Sequence, residues 1–230
     1  TPQRYFELVP ETVDMTIRSE LYHTNEFNFA VAVILSAQAT DKKVNEVTPA
    51  LFRVAPTPQK MVELGIDGLK AHIKVISFFN NKAKNIIASS KDIISRFDGK
   101  IPSEIDDLIT LAGVGRKTAN LIVGDVFGKP SVVVDTHCIR LSNRMGLVNE
   151  KDPVKIEFAL KKILPPETSG HFCHQLVYHG RAICNAAKPK CTICPINDLC
   201  KKKNVKKFQI NVLCQQMMAQ TVTKDLLQTP

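Results

Sequence analysis

The segment LITLAGVGRKTANLIVGDVFG, residues 108–128, constrains the fold more than any other part of the 230-residue chain. Apolar residues recur every three or four positions on both sides of a Gly-Val-Gly turn, which is the period of two amphipathic helices. Glycine permits a tight turn with positive φ and leaves backbone N–H groups uncovered. The segment therefore predicts a helical hairpin in which Val114 fills the groove between the helices.

A hairpin of this kind can hold one phosphate of a DNA strand without reading its sequence, because its N–H groups point at an anion. The expected DNA contacts are Gly113, Val114, Gly115 and Arg116. The next residue, Lys117, stands where a helix normally prefers Asp or Glu. Two interpretations stay open. Lys117 is either a solvated phosphate-side lysine or a nucleophilic amine, since the helix dipole and the adjacent guanidinium both disfavour a second positive charge.

Helical periodicity also dominates the rest of the chain, and no stretch alternates polar and apolar residues as a half-buried strand does. Residues 29–37 are apolar nearly all round, which predicts a central helix enclosed by others. Ser103 is expected to cap the helix that follows it. The run VVVD at 132–135 is interpreted as an extended linker, so the sequence predicts an all-α protein.

Asp135 follows that linker and precedes an amphipathic helix, so a helix N-cap is the favoured interpretation. A carboxylate near a nucleophilic amine could also stabilise positive charge on a deoxyribose or assist proton transfer as a glycosidic bond breaks. The two roles are compatible, because capping would fix the carboxylate's position. His137, two residues on, is interpreted as a structural or phosphate-side residue rather than a catalytic base.

Four of the seven cysteines lie within seventeen residues, in the spacing C-x6-C-x2-C-x5-C. They are Cys184, Cys191, Cys194 and Cys200. Structural zinc usually takes two separated pairs of ligands, whereas four thiolates on one short loop suit a [4Fe–4S] cluster. Zinc is the alternative.

Three histidines lie just before the cysteines: His171, His174 and His179. The cysteines already complete a set of four ligands, so these histidines are interpreted as core or surface residues. Lys188 and Lys190 project between the first two cysteines and predict a cationic loop that contacts phosphates.

The charge balance favours a polyanion as partner, since 31 Lys and Arg against 22 Asp and Glu give a net charge of +9. Nucleic acid ranks ahead of an anionic membrane surface. The longest apolar stretch, residues 27–39, is shorter than the roughly 20 apolar residues of a membrane span. We expect a soluble protein in a reducing compartment, because the clustered, odd-numbered cysteines do not suit a disulfide framework.

In these motifs the chain resembles the endonuclease III family of DNA glycosylase/lyases, from about Phe27 to Lys203. The matching segments are LSAQATD at 35–41, LAGVGRKTAN at 111–120, VDTHCIR at 134–140, HGR at 179–181 and the four-cysteine loop. Their order and spacing together make the resemblance highly specific.

The resemblance implies two helical domains that flank a DNA-binding cleft. One is a six-helix domain at 19–129 that contains the helix-hairpin-helix motif at 108–128. The other is an iron–sulfur domain made of 1–18 and 130–207, and the tail at 208–230 has no assigned role. The active site would lie between the two domains.

The resemblance also implies a reaction. Lys117 would be the amine that attacks C1′ of the damaged nucleotide, and Asp135 the catalytic carboxylate. The Schiff base would then allow elimination of the 3′ phosphate, so the enzyme would act as a glycosylase and an abasic-site lyase. The expected substrate is double-stranded DNA with oxidised pyrimidines such as thymine glycol, or with abasic sites. We expect a monomer at the nucleoid in bacterial cytoplasm, or in a nucleus or mitochondrion if the source is eukaryotic.

Residues around the target base are implied in the same way. Gln38 matches the residue that fills the space left by the extruded nucleotide, and Phe78 stands where an aliphatic wedge is common. Ser36 and Asp41 match pocket-side residues, with helix capping as the alternative for both.

Two further positions depart from the family pattern. Thr110 replaces an expected acidic residue that lines the pocket, which affects the range of lesions. Ala112 replaces the usual proline before the first hairpin glycine, which should loosen the turn slightly.

Three rival functions share some of these motifs. Adenine-type mismatch glycosylases typically carry Ser at the position of Lys117 and add a C-terminal recognition domain, for which we expect the residues after Lys207 to be too few. A non-catalytic DNA-binding module would need neither Lys117 nor Asp135. A zinc-binding adaptor would hold zinc in the four-cysteine loop.

Overall fold

A computed structural model describes residues 20–205 of the chain. These residues form nine α-helices and two short 3-10 helices and contain no β-strand, which confirms the predicted all-α class. None of the helices within this range is long and apolar enough to cross a membrane. The predicted N-terminal part of the iron–sulfur domain, residues 1–18, and the tail at 208–230 lie outside the described residues.

The α-helices are α1 (Glu26–Ser36), α2 (Asp41–Val54), α3 (Pro58–Ile73), α4 (Phe79–Arg96), α5 (Ile105–Leu108), α6 (Arg116–Asp125), α7 (Thr136–Met145), α8 (Pro153–Ile163) and α9 (Ser169–Ala182). The 3-10 helices are Pro166–Thr168 and Cys191–Ile193. The described residues divide into two compact units, 20–133 and 134–205. The first unit contains α1–α6, and the second contains α7–α9 and both 3-10 helices.

Helix α1 is the centre of the first unit, as its apolar surface predicts. Every residue from 27 to 35 is buried, and the helix contacts α2, α4 and α6. Asn25 caps its N-terminus, because the Asn25 side chain accepts a hydrogen bond from the Asn28 N–H at 2.8 Å. A helix buried on all sides needs apolar residues on all sides, which explains the composition of this segment.

Ser103 is not the N-cap of the helix that follows it, contrary to the sequence-based prediction. Helix α5 is a single turn, and its N-cap is Glu104, which makes no side-chain capping bond. The Lys129 ammonium instead donates to the Ser103 hydroxyl at 2.8 Å and pairs with the Glu104 carboxylate. This distant lysine draws both polar side chains away from the helix, so the capping geometry is lost.

In the second unit, α7 packs against α9 at a point where glycine is required. A Cβ on Gly180 would lie 2.4 Å from His137 Nδ1 and 2.8 Å from Arg140 Nη2. Real Cβ atoms do not approach other atoms this closely, so glycine permits the two helices to meet here. Residues 129–135 run without helix or strand into the start of α7, which confirms the extended linker.

Candidate active site and cysteine loop

The hairpin turn between α5 and α6 depends on one of its two glycines. Gly113 has φ of +80°, and a Cβ there would lie 2.9 Å from Asn85 Cβ. Gly115 has φ of −85° and open space around it. The Ser89 hydroxyl of α4 donates to the Ala112 carbonyl, which fixes the chain directly before the turn. The first glycine meets a steric and conformational requirement of the turn, whereas the second leaves room at the surface.

Val114 occupies the interior of the hairpin, as the sequence predicts. Its side chain is buried in the core of the first unit, and its N–H donates to the Leu111 carbonyl at 3.1 Å. Val114 therefore supports the turn from inside, rather than through a side chain that DNA can reach.

Arg116 and Lys117 are the first two residues of α6, after an N-cap, Gly115, that makes no side-chain capping bond. Lys117 is exposed. Buried Asn120 fixes this end of the helix, because its amide donates to the Arg116 carbonyl at 3.1 Å and accepts from the Val132 N–H at 3.2 Å. Sequence reasoning did not single out Asn120, since only its buried position on an otherwise apolar face marks it.

Asp135 is the N-cap of α7, which confirms the favoured interpretation of this carboxylate. Its Oδ1 accepts a hydrogen bond from the Cys138 N–H at 2.7 Å, and the residue is half-buried. Capping holds the carboxylate in one position at the start of the helix. The catalytic role assigned to Asp135 stays a prediction at this point.

His137 belongs to a connection between α7 and the cysteine loop. Its Nδ1 lies 3.2 Å from Arg140 Nη2, and the same guanidinium nitrogen donates to the carbonyls of Gly180, at 3.3 Å, and Cys184, at 3.1 Å. Burial lowers the pKa of Arg140, with a further contribution from the positive charge of Arg144. These contacts agree with a structural role for His137.

Gln38 and Phe78 share an uncommon backbone conformation. Gln38 has φ of +54° and Phe78 has φ of +58°, both in the left-handed region that favours glycine. Both side chains are exposed, and Phe78 presents 64% of its surface to solvent. Such conformations persist only where the surrounding structure enforces them, and they concentrate at functional sites.

Two of the three remaining pocket residues, Ser36 and Thr110, make local hydrogen bonds. The Ser36 hydroxyl donates to the Val33 carbonyl at 2.9 Å, and the Thr110 hydroxyl donates to the Asp107 carbonyl at 2.7 Å. Asp41 is the first residue of α2, and the N-cap of that helix is Thr40. Neither Ser36 nor Asp41 is therefore an N-cap, and their pocket roles stay predictions.

The four clustered cysteines line one cavity in the second unit. Two N–H donors point at their sulfur atoms: Arg144 Nη1 lies 3.4 Å from Cys184 Sγ, and the Lys202 N–H lies 3.4 Å from Cys200 Sγ. Such donors suit thiolates that ligate a metal centre. Within residues 20–205, no three His, Cys, Asp or Glu side chains meet closely enough to hold a single metal ion.

Burial opposes ionisation of two of the thiols in this cavity, Cys194 and Cys200. Burial raises the pKa of Cys194 to about 11, and the neighbouring thiols Cys200, Cys184 and Cys191 raise it further against the opposing effect of the Ile196 N–H. Burial raises the pKa of Cys200 as well. A bound cationic centre would reverse this preference, because it stabilises the thiolates directly.

Arg144 and His179 adjoin the cysteines and were not predicted as neighbours. Arg144 is buried and donates to the carbonyls of Asn185, at 2.7 Å, and Ala186, at 2.6 Å. His179 Nε2 lies 3.6 Å from Cys194 Sγ, and burial lowers the pKa of this imidazole. His171 and His174 are half-buried on α9.

Lys188 and Lys190 are exposed in the segment between the first two cysteines, as predicted. The Lys190 N–H donates to the Ile183 carbonyl at 2.9 Å, which closes the segment onto the end of α9. Both ammonium groups can therefore reach an anionic surface from a fixed loop.

The helical arrangement and the glycine hairpin are consistent with a known class of DNA repair proteins. Residues 31–166 match the family described as HhH-GPD superfamily base excision DNA repair protein. The chain is similar to Endonuclease III of Haemophilus influenzae, with 48% identity over 190 residues that cover 83% of this chain and 90% of the relative. It is also similar to Endonuclease III of Escherichia coli, with 43% identity over 185 residues that cover 80% and 88%.

A solved structure of a trapped covalent intermediate between Endonuclease III and DNA has a TM-score of 0.78 and 37% identity to this chain. The likeness covers 88% of this chain and 96% of that one. The chain belongs to the endonuclease III family, which confirms the resemblance found in its motifs.

Proposed function

We propose that this member of the base excision repair glycosylases removes oxidised pyrimidines of the thymine glycol type from duplex DNA. It then cleaves the abasic site as a lyase. The observation that carries the proposal is Lys117, an exposed lysine in the first turn of α6, directly after the glycine hairpin. A lysine fixed beside a phosphate-binding turn can reach a sugar whose backbone the turn holds.

In the proposed reaction, Lys117 Nζ forms a bond to C1′ while the glycosidic bond breaks. The base leaves with the bonding electrons and takes up a proton. After the sugar ring opens, Lys117 and C1′ form an imine. Loss of a proton from C2′ then breaks the C3′–O bond and releases the 3′ phosphate, and water hydrolyses the imine to free the amine.

Asp135 stabilises the positive charge that develops on the deoxyribose as the base leaves, or assists the accompanying proton transfer. Its capping bond to the Cys138 N–H supports this assignment, since a fixed carboxylate needs no reorganisation during the reaction. Capping and catalysis use the same carboxylate.

The proposed DNA contacts lie in both units. In the first, the hairpin from Gly113 to Arg116 holds a phosphate, Gln38 fills the space of the extruded nucleotide, and Phe78 stacks as a wedge. In the second, Lys188 and Lys190 contact the backbone. Pocket roles for Ser36, Asp41, Thr110 and His137 belong to the same proposal.

We assign the four cysteines to a [4Fe–4S] cluster, because they line one cavity and N–H groups donate to two of their sulfur atoms. Cys184, Cys191, Cys194 and Cys200 would hold the cluster. The bound cluster would link the two ends of the loop covalently. The loop then presents its two lysines in a fixed orientation.

A comparison of three duplexes tests the proposal: one with thymine glycol, one with normal thymine and one with adenine opposite guanine. We expect base release and strand cleavage only with thymine glycol. Release of adenine without strand cleavage would favour the mismatch glycosylase, and binding without any release would favour the DNA-binding module. The monomeric state and a location in bacterial cytoplasm stay predictions.

A further inference from the structure

Lys82 is a buried lysine that no step of the reaction uses. It lies in the first turn of α4, with only 6% of its surface exposed. Its ammonium donates to the carbonyls of Leu35, at 2.8 Å, and Ala37, at 2.6 Å, both at the C-terminal end of α1. A helix C-terminus has unsatisfied carbonyls and a partial negative charge, so a cation there is stabilising.

The position of this lysine is unusual because burial opposes its charge. Burial lowers the pKa of Lys82, as expected when an ammonium leaves water. An apolar residue would fill the same space without that cost, although it would leave the two carbonyls without their donor. The retained ammonium therefore points to a task at the end of α1.

Gln38 and Phe78, two of the five non-glycine residues with positive φ in the described part of the chain, adjoin Lys82. The Ala37 carbonyl, which accepts from the ammonium, directly precedes Gln38 with its φ of +54°. The backbone N–H of Lys82 donates to the Phe78 carbonyl at 3.1 Å, and Phe78 has φ of +58°. The Lys82 side chain thus anchors the peptide before Gln38 to the first turn of α4, the turn that begins directly after Phe78.

We propose that Lys82 is a positioning residue whose ammonium ties the start of α4, next to Phe78, to the chain before Gln38, so that Gln38 and Phe78 form a fixed pair on the DNA-facing surface of the first unit. The inference rests on the proposed function, in which these two residues occupy the space of the extruded nucleotide and the opposite strand. Without the ammonium, the Ala37–Gln38 peptide loses its anchor and Gln38 leaves its left-handed conformation more easily. Extrusion of the base then becomes harder, whereas imine formation by Lys117 does not depend on the pair.

The test is Lys82→Met, compared on two substrates that carry an abasic site or thymine glycol. Excision of thymine glycol from duplex DNA requires extrusion, and we expect it to fall about tenfold or more. Borohydride trapping on a single-stranded abasic oligonucleotide requires no extrusion and should stay at the wild-type level. Lys84→Met, which removes an exposed lysine from the same helix, is the matched control for loss of charge.

A double-mutant cycle with Gln38→Ala separates positioning from general stability. If Lys82 acts through Gln38, the loss caused by Lys82→Met shrinks in the Gln38→Ala background. Additive losses, or equal losses on the duplex and the single strand, would overturn the inference. If Lys82→Met does not fold, Lys82→Gln, which keeps an N–H donor but has neither the charge nor the length of lysine, is compared in the same way, with a smaller loss expected that is again confined to the duplex. Absence of trapping by the wild-type protein on either substrate would contradict the proposed function instead.

Discussion

The Asp135 carboxylate accepts a hydrogen bond from the Cys138 N–H at 2.7 Å and so closes the first turn of α7. This contact needs an acceptor oxygen but no charge, whereas the proposed stabilisation of a cationic sugar needs the charge. The structural and catalytic roles of Asp135 can therefore be separated by substitution.

Asp135→Asn should retain the helix cap and lose most of the catalytic activity. Asn is as good an N-cap as Asp, so the midpoint of thermal unfolding should stay close to wild type. Excision of thymine glycol should fall about a hundredfold or more, because the neutral amide cannot stabilise the developing cation. Asp135→Ala should lose the activity and, in addition, about 1 kcal/mol of unfolding free energy. Normal excision of thymine glycol by Asp135→Asn would contradict the catalytic role and leave Asp135 with helix capping alone.

The two hairpin glycines should respond differently to alanine. Gly113→Ala forces a Cβ against Asn85 in a left-handed backbone, so urea unfolding should show a loss of about 1–3 kcal/mol. Gly115→Ala has free space and an ordinary φ, so its loss should be less than about 1 kcal/mol.

Gly115→Ala should nevertheless weaken binding to a duplex with an abasic-site analogue, measured by fluorescence anisotropy. The added methyl group lies on the surface where a phosphate approaches the backbone N–H groups. Unchanged affinity of Gly115→Ala for this duplex would show that the DNA backbone does not bind at the hairpin turn.

Arg144 should control how firmly the loop keeps its cluster. Arg144→Met removes the donor to Cys184 Sγ and to the carbonyls of Asn185 and Ala186. Unsatisfied buried acceptors cost about 1–3 kcal/mol each, so the first arm of the loop should loosen. We expect Arg144→Met to lose iron to a chelator faster than the wild type, as monitored by visible absorbance. Lys162→Met, which replaces an exposed lysine on α8, is the control and should lose iron at the wild-type rate.

The identity of the metal centre is open to direct analysis. The purified protein should be brown and carry iron and labile sulfide in equal amounts, and replacing any one of the four cysteines with Ser should diminish both. Removal of the centre should weaken DNA binding, because the lysines of the loop lose their fixed position. A colourless protein with stoichiometric zinc would reject the cluster and favour the adaptor.

His171 should make stability depend on pH. Burial, followed by the nearby charge of His174, lowers the pKa of His171 below its usual value of 6.5. The unfolded chain therefore binds more protons than the folded protein in the range just below 6.5, and unfolding free energy rises with pH there. His171→Gln should flatten the difference in urea stability between about pH 5 and about pH 8. An unchanged difference would show that other groups cause it.

Local patterns allowed much of the site to be predicted from the sequence. The hairpin follows from glycines between two amphipathic helices, the cap from Asp135 before a helix, and the grouping of four cysteines around one cavity from their spacing. Each of these signals lies within about twenty residues, where the period of the helix decides which side chains face together.

The partners that are distant in sequence were not predictable in this way. Lys82 bonds to a carbonyl 47 residues away, and Arg144 bonds to one 41 residues away. The wrong assignment of Ser103 as a cap has the same origin, since Lys129 lies 26 residues further along the chain. Only tertiary packing brings such groups together, and a polar residue on a buried helix face is the one local sign of them.

The central claim is that Lys117 is the nucleophile, and trapping of the imine tests it most directly. A duplex with one thymine glycol is incubated with protein and borohydride, and denaturing gels then report any covalent protein–DNA band. We expect the band with wild type and with Lys91→Ala, an exposed lysine of α4, and no band with Lys117→Ala. A band of normal intensity from folded, DNA-binding Lys117→Ala would contradict the assignment. No band from any of the three, with DNA still bound, would contradict the imine mechanism itself.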